Sequence, residues 1–148
     1  MSETFTEREQ AVELLNRFGI TIDQRDWDSY ANLFADSVEF DYSAIGNVSG
    51  TFSAEEITQN ARGFFGSLDA TQHVITNHQI SLGAEGCNFQ VYVRAMHFLE
   101  KAQGEPWFEI GGYYEGMLTK KEKNWKISRW KFSVYWSRGN ENLFKVAE

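Results

Sequence analysis

Apolar residues recur at intervals of three and four positions between residues 11 and 22, and this spacing predicts an amphipathic helix. The apolar stripe consists of Ala11, Val12, Leu14, Leu15, Phe18, Gly19 and Ile22. Thr6, followed by Glu9, matches the capping box that starts a helix. The helix should end at about Asp23, where a carboxylate faces the negative end of the helix dipole and lowers helix stability by about 0.3–1 kcal/mol. We therefore expect a partner elsewhere in the chain to hold Asp23, and a solvated Asp before a turn is the simpler alternative.

After this helix, the pattern predicts a second, short helix, a strand and a third helix. The short helix starts at Asp26 or Asp28, and its apolar positions are Tyr30, Leu33 and Phe34. Residues 38–42 alternate between apolar and polar and predict a strand, which a Gly-rich turn at residues 46–50 follows. Ser53, with Glu56 at its third position, predicts the capped start of the third helix.

Beyond Gly66 the pattern changes to long strands. We expect them at residues 73–82, 88–100, 107–120 and 125–137, with turns at residues 84–86, 103–106 and 121–124. Helices followed by a meander of antiparallel strands predict an α+β fold with the helices on one face of the sheet. Strands of about 13 residues would span about 40 Å, so the sheet must curve. A curved sheet under helices forms a cone, whose mouth is a natural place for an aromatic-lined pocket.

Composition limits the class of protein. The chain has 148 residues, of which 42% are hydrophobic and 16% aromatic, and it is expected to form a single domain over residues 1–148. A net charge of −7 disfavours nucleic acid and an anionic membrane surface as partners. Cys87 is the only cysteine, which is consistent with a reducing compartment. The first ten residues lack an apolar secretory core and no long apolar run follows, so we expect a soluble, cytoplasmic protein.

Three histidines are the main candidates for chemistry. Regular alternation places His73 and His78 on opposite faces of their strand, so the two should not share a site. His97 lies on the apolar face of the next strand, where a histidine is more often a core residue than a base. A carboxylate beside a buried imidazole orients the ring and makes it a useful general base. Asp23 with His73 or His97 would form such a pair.

Motifs for other chemistries are missing from the sequence. It contains no nucleophile elbow, no dinucleotide or Walker loop and no His-Glu-x-x-His. Three histidines with scattered acids make a weak case for zinc. Proton transfer in an apolar pocket, without metal or cofactor, is the chemistry that the residues favour.

Five blocks of sequence resemble successive blocks of scytalone dehydratase. They are residues 22–28 (IDQRDWD), 40–42 (FDY), 71–75 (TQHVI), 93–97 (VRAMH) and 124–128 (NWKIS). The wider group is the SnoaL-like set of the nuclear-transport-factor-2-like superfamily, which includes bile-acid 7α-dehydratase and lindane dehydrochlorinase. The resemblance covers nearly the whole chain. It implies a cone-shaped α+β barrel, a homo-oligomer that is a trimer or, as the alternative, a dimer, and eliminations without metal or cofactor.

The resemblance also implies roles for four residues. Asp23 matches the carboxylate of the catalytic dyad and His73 its general base. His97 matches a second pocket histidine, and Tyr42 matches a phenol that polarises the substrate carbonyl through water.

Other positions depart from the family pattern. Ile22 stands where scytalone dehydratase has a second pocket tyrosine, and Phe18 stands where the bile-acid enzyme has its tyrosine. No Ser/Asn pair occurs around residues 111–114. Tyr42 is therefore the main candidate hydroxyl, with Tyr30 and Tyr113 behind it.

These residues together predict a lyase that acts on a small, largely apolar, cyclic substrate. His73, oriented by Asp23, would remove a proton next to an activating group. Tyr42 would stabilise the enolate oxygen and His97 would protonate the departing group. The expected pocket lining, whose members could equally be plain core, is Phe18, Ile22, Tyr30, Phe34, Phe64, Val93, Trp107 and Trp130.

Other functions on the same fold stay open. An isomerase or cyclase would use the same first proton abstraction. An epoxide hydrolase of this fold resembles an Asp-Arg-Asp water clamp. Arg94 is on the strand face opposite His97 and has no obvious Asp partner on the neighbouring strands, which disfavours this option. The alternative from a different class is a small-molecule-binding module or the small partner subunit of a ring-hydroxylating oxygenase, neither of which needs an Asp–His pair.

Overall fold

The computed structural model describes residues 5–146, and these residues form four α-helices and six β-strands. The helices are α1 (Glu7–Asp23), α2 (Trp27–Ala31), α3 (Ala54–Phe65) and α4 (Leu143–Val146). The strands are β1 (Phe34–Asp41), β2 (Ser49–Phe52), β3 (Ala70–Gly83), β4 (Gly86–Phe98), β5 (Trp107–Lys121) and β6 (Asn124–Gly139). A short 3₁₀ helix, Ser43–Ile45, lies between β1 and β2.

The strands form one mixed sheet in the order β2-β1-β6-β5-β4-β3. β1 runs parallel to β6, and the other pairings are antiparallel. The helices α1, α2 and α3 pack on this sheet, which confirms the predicted α+β class. The arrangement is consistent with the predicted cone shape, and the sheet is not closed, because β2 and β3 are its two edges.

The predicted caps and long strands are present. Thr6 Oγ1 accepts a hydrogen bond from the Glu9 backbone N–H at the start of α1, and Ser53 and Glu56 form the full capping box of α3. The four predicted long strands correspond to β3, β4, β5 and β6, and the structure extends most of their ends by one to three residues. Apolar and polar residues alternate over many positions in these strands, so the sequence pattern predicts them strongly.

Three short elements differ from the prediction. Phe34 begins β1 instead of continuing the second helix, because α2 ends at Ala31 and Phe34 pairs with Ile127 of β6. β2 lies in the stretch that predicted a turn, and its pairing with β1 makes it a strand. α4 was not predicted, since so few residues carry little periodicity.

The predicted apolar stripe of α1 faces the sheet. Phe18 is at its centre with 0% of its surface exposed, and its ring stacks on Trp130 with 4.0 Å between centroids. The rings of Tyr30, Phe34 and Tyr114 contact Phe18 from other directions. This aromatic cluster fixes α1 on the sheet, and it thereby sets the position of Asp23 at the end of the helix.

A bulge in β3 changes the predicted faces of the two histidines in that strand. Asn77 has a φ of 55°, and the pairing with β4 shifts between Thr76 and Gln79. The shift returns His78 to the same face of the sheet as His73, which corrects the expectation from regular alternation. His78 Nε2 nevertheless bonds to Asn16 Oδ1 at 2.9 Å, two helical turns before Asp23. The two histidines therefore share a face but not a site.

Within residues 5–146, no helix is long and apolar enough to cross a membrane.

Candidate active site

Asp23 and His73 form a hydrogen-bonded pair between α1 and β3. His73 Nδ1 lies 2.8 Å from Asp23 Oδ1, and the His73 backbone N–H donates to Asp23 Oδ2 at 2.7 Å. The His73 side chain is 3% exposed and the Asp23 side chain 21%. A carboxylate can only accept, so Nδ1 carries the hydrogen and the other ring nitrogen, Nε2, is left unprotonated in the neutral ring. The Asp23 carboxylate therefore orients the His73 ring, and Nε2 of that ring is available to act as a general base.

The hydrogen bonds explain why a carboxylate ends α1. Besides the two donors of His73, the Thr71 hydroxyl donates to Asp23 Oδ1 at 3.0 Å. Three donors outweigh the cost of about 0.3–1 kcal/mol at the helix end, because each bond to a charged acceptor contributes about 1.5–3 kcal/mol. The partner that the sequence predicted for Asp23 is therefore on β3, and it is His73 rather than His97.

Gly19 lets α1 approach β3 closely enough for this pair to form. A Cβ atom at residue 19 would lie 2.9 Å from His73 Cβ and 3.3 Å from Ile75 Cδ1. Real Cβ atoms do not come so close, so any side chain here would move α1 or β3.

Gly19→Ala is expected to lower the free energy of unfolding by about 1–3 kcal/mol through overpacking, despite the better helix propensity of alanine. It should also separate Asp23 from His73. Denaturant unfolding measures the first effect, and the NMR signal of the His73 ring N–H measures the second. Gly63→Ala is the matched control, because a Cβ on Gly63 of α3 meets nothing within 4 Å. Equal stability of Gly19→Ala and wild type would contradict the proposed close approach.

His73 lines a cavity of about 410 Å³. This is within the range of roughly 300–1,000 Å³ that is typical of small-molecule sites. Its apolar wall includes Ile45, Phe64, Phe65, Phe108, Phe132 and Phe144, and its polar groups come from Tyr42, His73, His97, Tyr114, Ser137 and Glu141. Among the described residues, no lysine or arginine lines it. The cavity therefore suits a neutral, largely apolar molecule.

His97 is the second histidine of the cavity wall, and it is neutral at physiological pH. It is 4% exposed, and its ring centroid lies 5.9 Å from that of His73. Burial lowers its pKa to about 4, and the neighbouring His73 adds to this shift. Its Nδ1 lies 3.0 Å from the carbonyl oxygen of Phe108, which can only accept, so Nδ1 carries the hydrogen. His97 Nε2 is consequently a hydrogen-bond acceptor, and His97 is not the proton donor that the sequence suggested.

The low pKa of His97 predicts a pH-dependent stability. The unfolded chain protonates this residue at about pH 6.5, whereas the folded protein does so only at about pH 4. Between these values the unfolded state binds the extra proton. The free energy of unfolding is therefore expected to fall as the pH is lowered from about 6.5 to 4, by about 3 kcal/mol in total.

Urea unfolding at several pH values would measure this slope in wild type and in His97→Gln. The carboxylates titrate alike in both proteins, so the difference between the two slopes reports residue 97. Identical slopes would show that His97 is protonated as easily in the folded protein as in the unfolded chain.

Two tyrosine side chains bring hydroxyl groups to the cavity wall. Tyr42 and Tyr114 both line it, and burial raises the pKa of each phenol, which keeps both protonated. Tyr114 was missed in the sequence, where Tyr113 was the candidate. Tyr114 pairs with Val91 on the apolar face of β4, whereas Tyr113 packs on Tyr135 on the other face of the sheet. Only the strand register, which no local signal reveals, distinguishes these two adjacent tyrosines.

Most residues expected to line the pocket are elsewhere in the structure. Phe64 does line the cavity. Six others are in the core between the helices and the sheet, namely Phe18, Ile22, Tyr30, Phe34, Val93 and Trp130. Trp107 faces the guanidinium of Arg138, 5.7 Å from its ring centroid. The apolar residues of the inner face are thus divided between a core under α1 and a cavity beyond it, and alternation alone cannot separate the two.

Arg94 forms an ion pair that the sequence did not predict. Its Nε lies 2.9 Å from Glu109 Oε2, and Arg138 Nε lies 2.9 Å from Glu109 Oε1. Arg94 does not line the cavity with His73 and His97, so it is not placed to clamp a water there. Within residues 5–146, no three His, Cys, Asp or Glu side chains are grouped closely enough to hold a metal ion.

Helices packed on one face of an open mixed sheet are the arrangement of the nuclear-transport-factor-2-like class of domains. Within this class the chain belongs to the SnoaL-like domain family, which matches residues 3–131. The family resemblance expected from the sequence is therefore confirmed.

Solved structures share the fold at low sequence identity. A Kribbella flavida protein is 21% identical, with a TM-score of 0.87 over 94% of this chain and 97% of that chain. A Novosphingobium aromaticivorans protein, provisionally named a scytalone dehydratase, is 20% identical, with a TM-score of 0.78 over 89% and 86%. The hexachlorocyclohexane dehydrochlorinase of Novosphingobium barchaimii is 18% identical, with a TM-score of 0.71 over 88% of each chain. No curated protein sequence matches significantly.

Proposed function

We propose that the protein is a lyase that removes water, or a comparable leaving group, from a small neutral cyclic ketone. The observation that carries this proposal is the 2.8 Å hydrogen bond between His73 Nδ1 and Asp23 Oδ1 at the wall of an apolar cavity. The names of two structural neighbours, a scytalone dehydratase and a dehydrochlorinase, support it because both denote eliminations.

The first step is proton abstraction by His73. Its unprotonated Nε2 takes the hydrogen of a carbon next to the substrate carbonyl, and the electron pair moves to the carbonyl oxygen. Asp23 stabilises the imidazolium that forms, since its carboxylate accepts the Nδ1 hydrogen. The apolar wall strengthens this interaction by excluding water.

The second requirement is stabilisation of the enolate oxygen. Tyr42 is protonated, so its hydroxyl can donate a hydrogen bond to this oxygen, and the Tyr114 hydroxyl, which is also protonated, donates to the Tyr42 oxygen behind it. Trp130 Nε1 is buried beside Tyr42, and the Tyr42 oxygen is the acceptor next to it. In this proposal the Tyr42 hydroxyl, with Tyr114 and Trp130 beside its oxygen, serves in place of the second pocket tyrosine that the family pattern has at position 22.

The final step is departure of the leaving group. The enolate expels a hydroxyl from the adjacent carbon, and the hydroxyl takes the proton back from the His73 imidazolium to leave as water. His97 is neutral, so its Nε2 accepts a hydrogen bond from the hydroxyl and orients it. One histidine therefore serves as base and then as acid, which requires both groups to leave from the same face of the substrate.

The β-hydroxy derivative of α-tetralone is a suitable first probe. It is neutral and bicyclic, and its loss of water gives α-naphthol, which is followed by ultraviolet absorbance. Incubation of the saturated parent ketone in deuterated water separately tests proton abstraction, since NMR detects loss of the hydrogen next to the carbonyl.

The two assays separate the proposal from its alternatives. Naphthol formation with deuterium exchange supports a dehydratase. Exchange without water loss from any hydroxy ketone would indicate an isomerase or cyclase. A protein that binds the ketone in its cavity but exchanges no hydrogen would be a binding module, and the lyase proposal would fail.

A further inference from the structure

Arg25 and Thr71 extend the Asp23–His73 pair into a chain of four side chains. Arg25 Nη1 lies 2.8 Å from Thr71 Oγ1, and Thr71 Oγ1 lies 3.0 Å from Asp23 Oδ1. Asp23 Oδ1 in turn lies 2.8 Å from His73 Nδ1. Neither Arg25 nor Thr71 lines the cavity, so both act on the site from behind.

The direction of each hydrogen bond in this chain is determined by chemistry. A guanidinium has no acceptor, so Arg25 must donate to the Thr71 oxygen. The single hydroxyl hydrogen of Thr71 is then free to point at Asp23 Oδ1. That oxygen accepts from Thr71 on one side and from His73 Nδ1 on the other, while Oδ2 accepts from the His73 backbone. In this arrangement of hydrogen bonds each of the four side chains has a partner of the right kind, donor to acceptor.

Arg25 is itself held in place. The same Nη1 also donates to the Ile22 carbonyl at 2.8 Å, and Nη2 lies 3.4 Å from the Leu68 carbonyl. The guanidinium thereby links the end of α1, the segment before β3 and β3 itself. Arg25 also has a φ of 59°, a conformation that is uncommon for residues other than glycine. The surrounding structure must therefore stabilise a residue that is strained in isolation.

We propose that Arg25 and Thr71 are positioning residues for His73, which they control by fixing the Asp23 carboxylate in the orientation that keeps the ring hydrogen on Nδ1. This inference rests on the proposed function, in which Nε2 must be bare to act as the base. The order of action is Arg25 on Thr71, Thr71 on Asp23 and Asp23 on His73. If Arg25 and Thr71 only stabilised the end of α1, their substitution would lower the stability of the fold. It would not change which nitrogen of the His73 ring carries the hydrogen.

The test is nitrogen-15 NMR of the imidazole rings in the 148-residue chain at neutral pH. The chain has three histidines, and loss of a signal in His73→Asn assigns the ring of interest. Wild type should show His73 with its hydrogen on Nδ1 and slow exchange of that hydrogen with water. Thr71→Ser retains the hydroxyl and should behave like wild type.

Thr71→Val retains the shape but lacks the hydroxyl. We expect exchange of the His73 Nδ1 hydrogen to be faster by about tenfold, which is the change expected from the loss of one hydrogen bond to a charged group. The fraction of ring with its hydrogen on Nε2 should rise as well. Arg25→Asn, which tolerates a positive φ, should give a smaller change in the same direction. Thr58→Val is the matched control, because the Thr58 hydroxyl bonds only to Ala54 of its own helix.

Asp23→Asn separates failure of this inference from failure of the proposed function. If Asp23→Asn disturbs the His73 ring and Thr71→Val does not, the dyad stands and the positioning role is wrong. If neither substitution changes the ring, Asp23 does not set the state of His73, and both proposals are overturned. An equal change in Thr58→Val would show that the effect is general loosening of the fold.

Discussion

His73→Asn is expected to lower kcat/KM for dehydration of the hydroxytetralone probe by about a thousandfold, since a general base contributes roughly 10²–10⁴-fold to such a step. The asparagine amide can still donate to Asp23 in place of Nδ1, so the carboxylate keeps a partner. No nitrogen remains to accept the substrate proton. Steady-state kinetics that follow naphthol absorbance measure the effect, and deuterium exchange into the parent ketone should fall in parallel.

His78→Asn is the matched control for this substitution. His78 is on the same strand and the same face of the sheet as His73, but it bonds to Asn16 instead of Asp23. Its replacement should leave the rate unchanged. A rate for His73→Asn within tenfold of wild type would correspond to less than about 1.4 kcal/mol of barrier, and His73 would then have no part in the mechanism.

Phe18→Ala is expected to lower the free energy of unfolding by about 3–5 kcal/mol, because it removes a fully buried ring from the centre of the core. Phe18 stacks on Trp130 at 4.0 Å between centroids, and its ring is 5.2 Å from that of Tyr114. A cavity at this point cannot collapse easily, since large rings surround it on several sides. Chemical denaturation measures the loss.

The same substitution distinguishes a core residue from a pocket residue. If Phe18 lined the substrate site, Phe18→Ala would raise KM and leave stability nearly unchanged. The position of Phe18 predicts the opposite, with a large loss of stability and a small change in KM. Phe5→Ala is the comparison variant, because Phe5 is 45% exposed and its loss should change stability by only about 0.5 kcal/mol. Similar stability losses for the two variants would contradict the assignment of Phe18 to the core.

Much of the fold could be predicted from local signals. The stripe of α1 and the caps at Thr6 and Ser53 depend on residues within a few positions of each other, so neighbouring side chains determine them. The four long strands are also predicted by a local signal, the alternation of apolar and polar residues along each strand. Short elements such as β2 were missed, because a four-residue strand is stabilised by its partner and not by its own pattern.

The candidate site was only partly predictable. Asp23 is an acid at the end of a helix that disfavours it, and this conflict points to a partner without naming it. The resemblance to scytalone dehydratase suggested His73, and the structure brings the two side chains within 2.8 Å. The role of His97 could not be anticipated, since its low pKa depends on how deeply the ring is buried.

The sequence by itself determined the class of fold, the stripe that packs on the sheet and the small set of histidines and acids from which a site could be built. Only the tertiary structure decided which of these histidines and acids contact each other. The reason is that periodicity states which face a residue is on, whereas a site depends on depth, register and the approach of elements distant in sequence. The bulge at Asn77, the choice of Tyr114 over Tyr113 and the contact of Gly19 with His73 all arise from that packing.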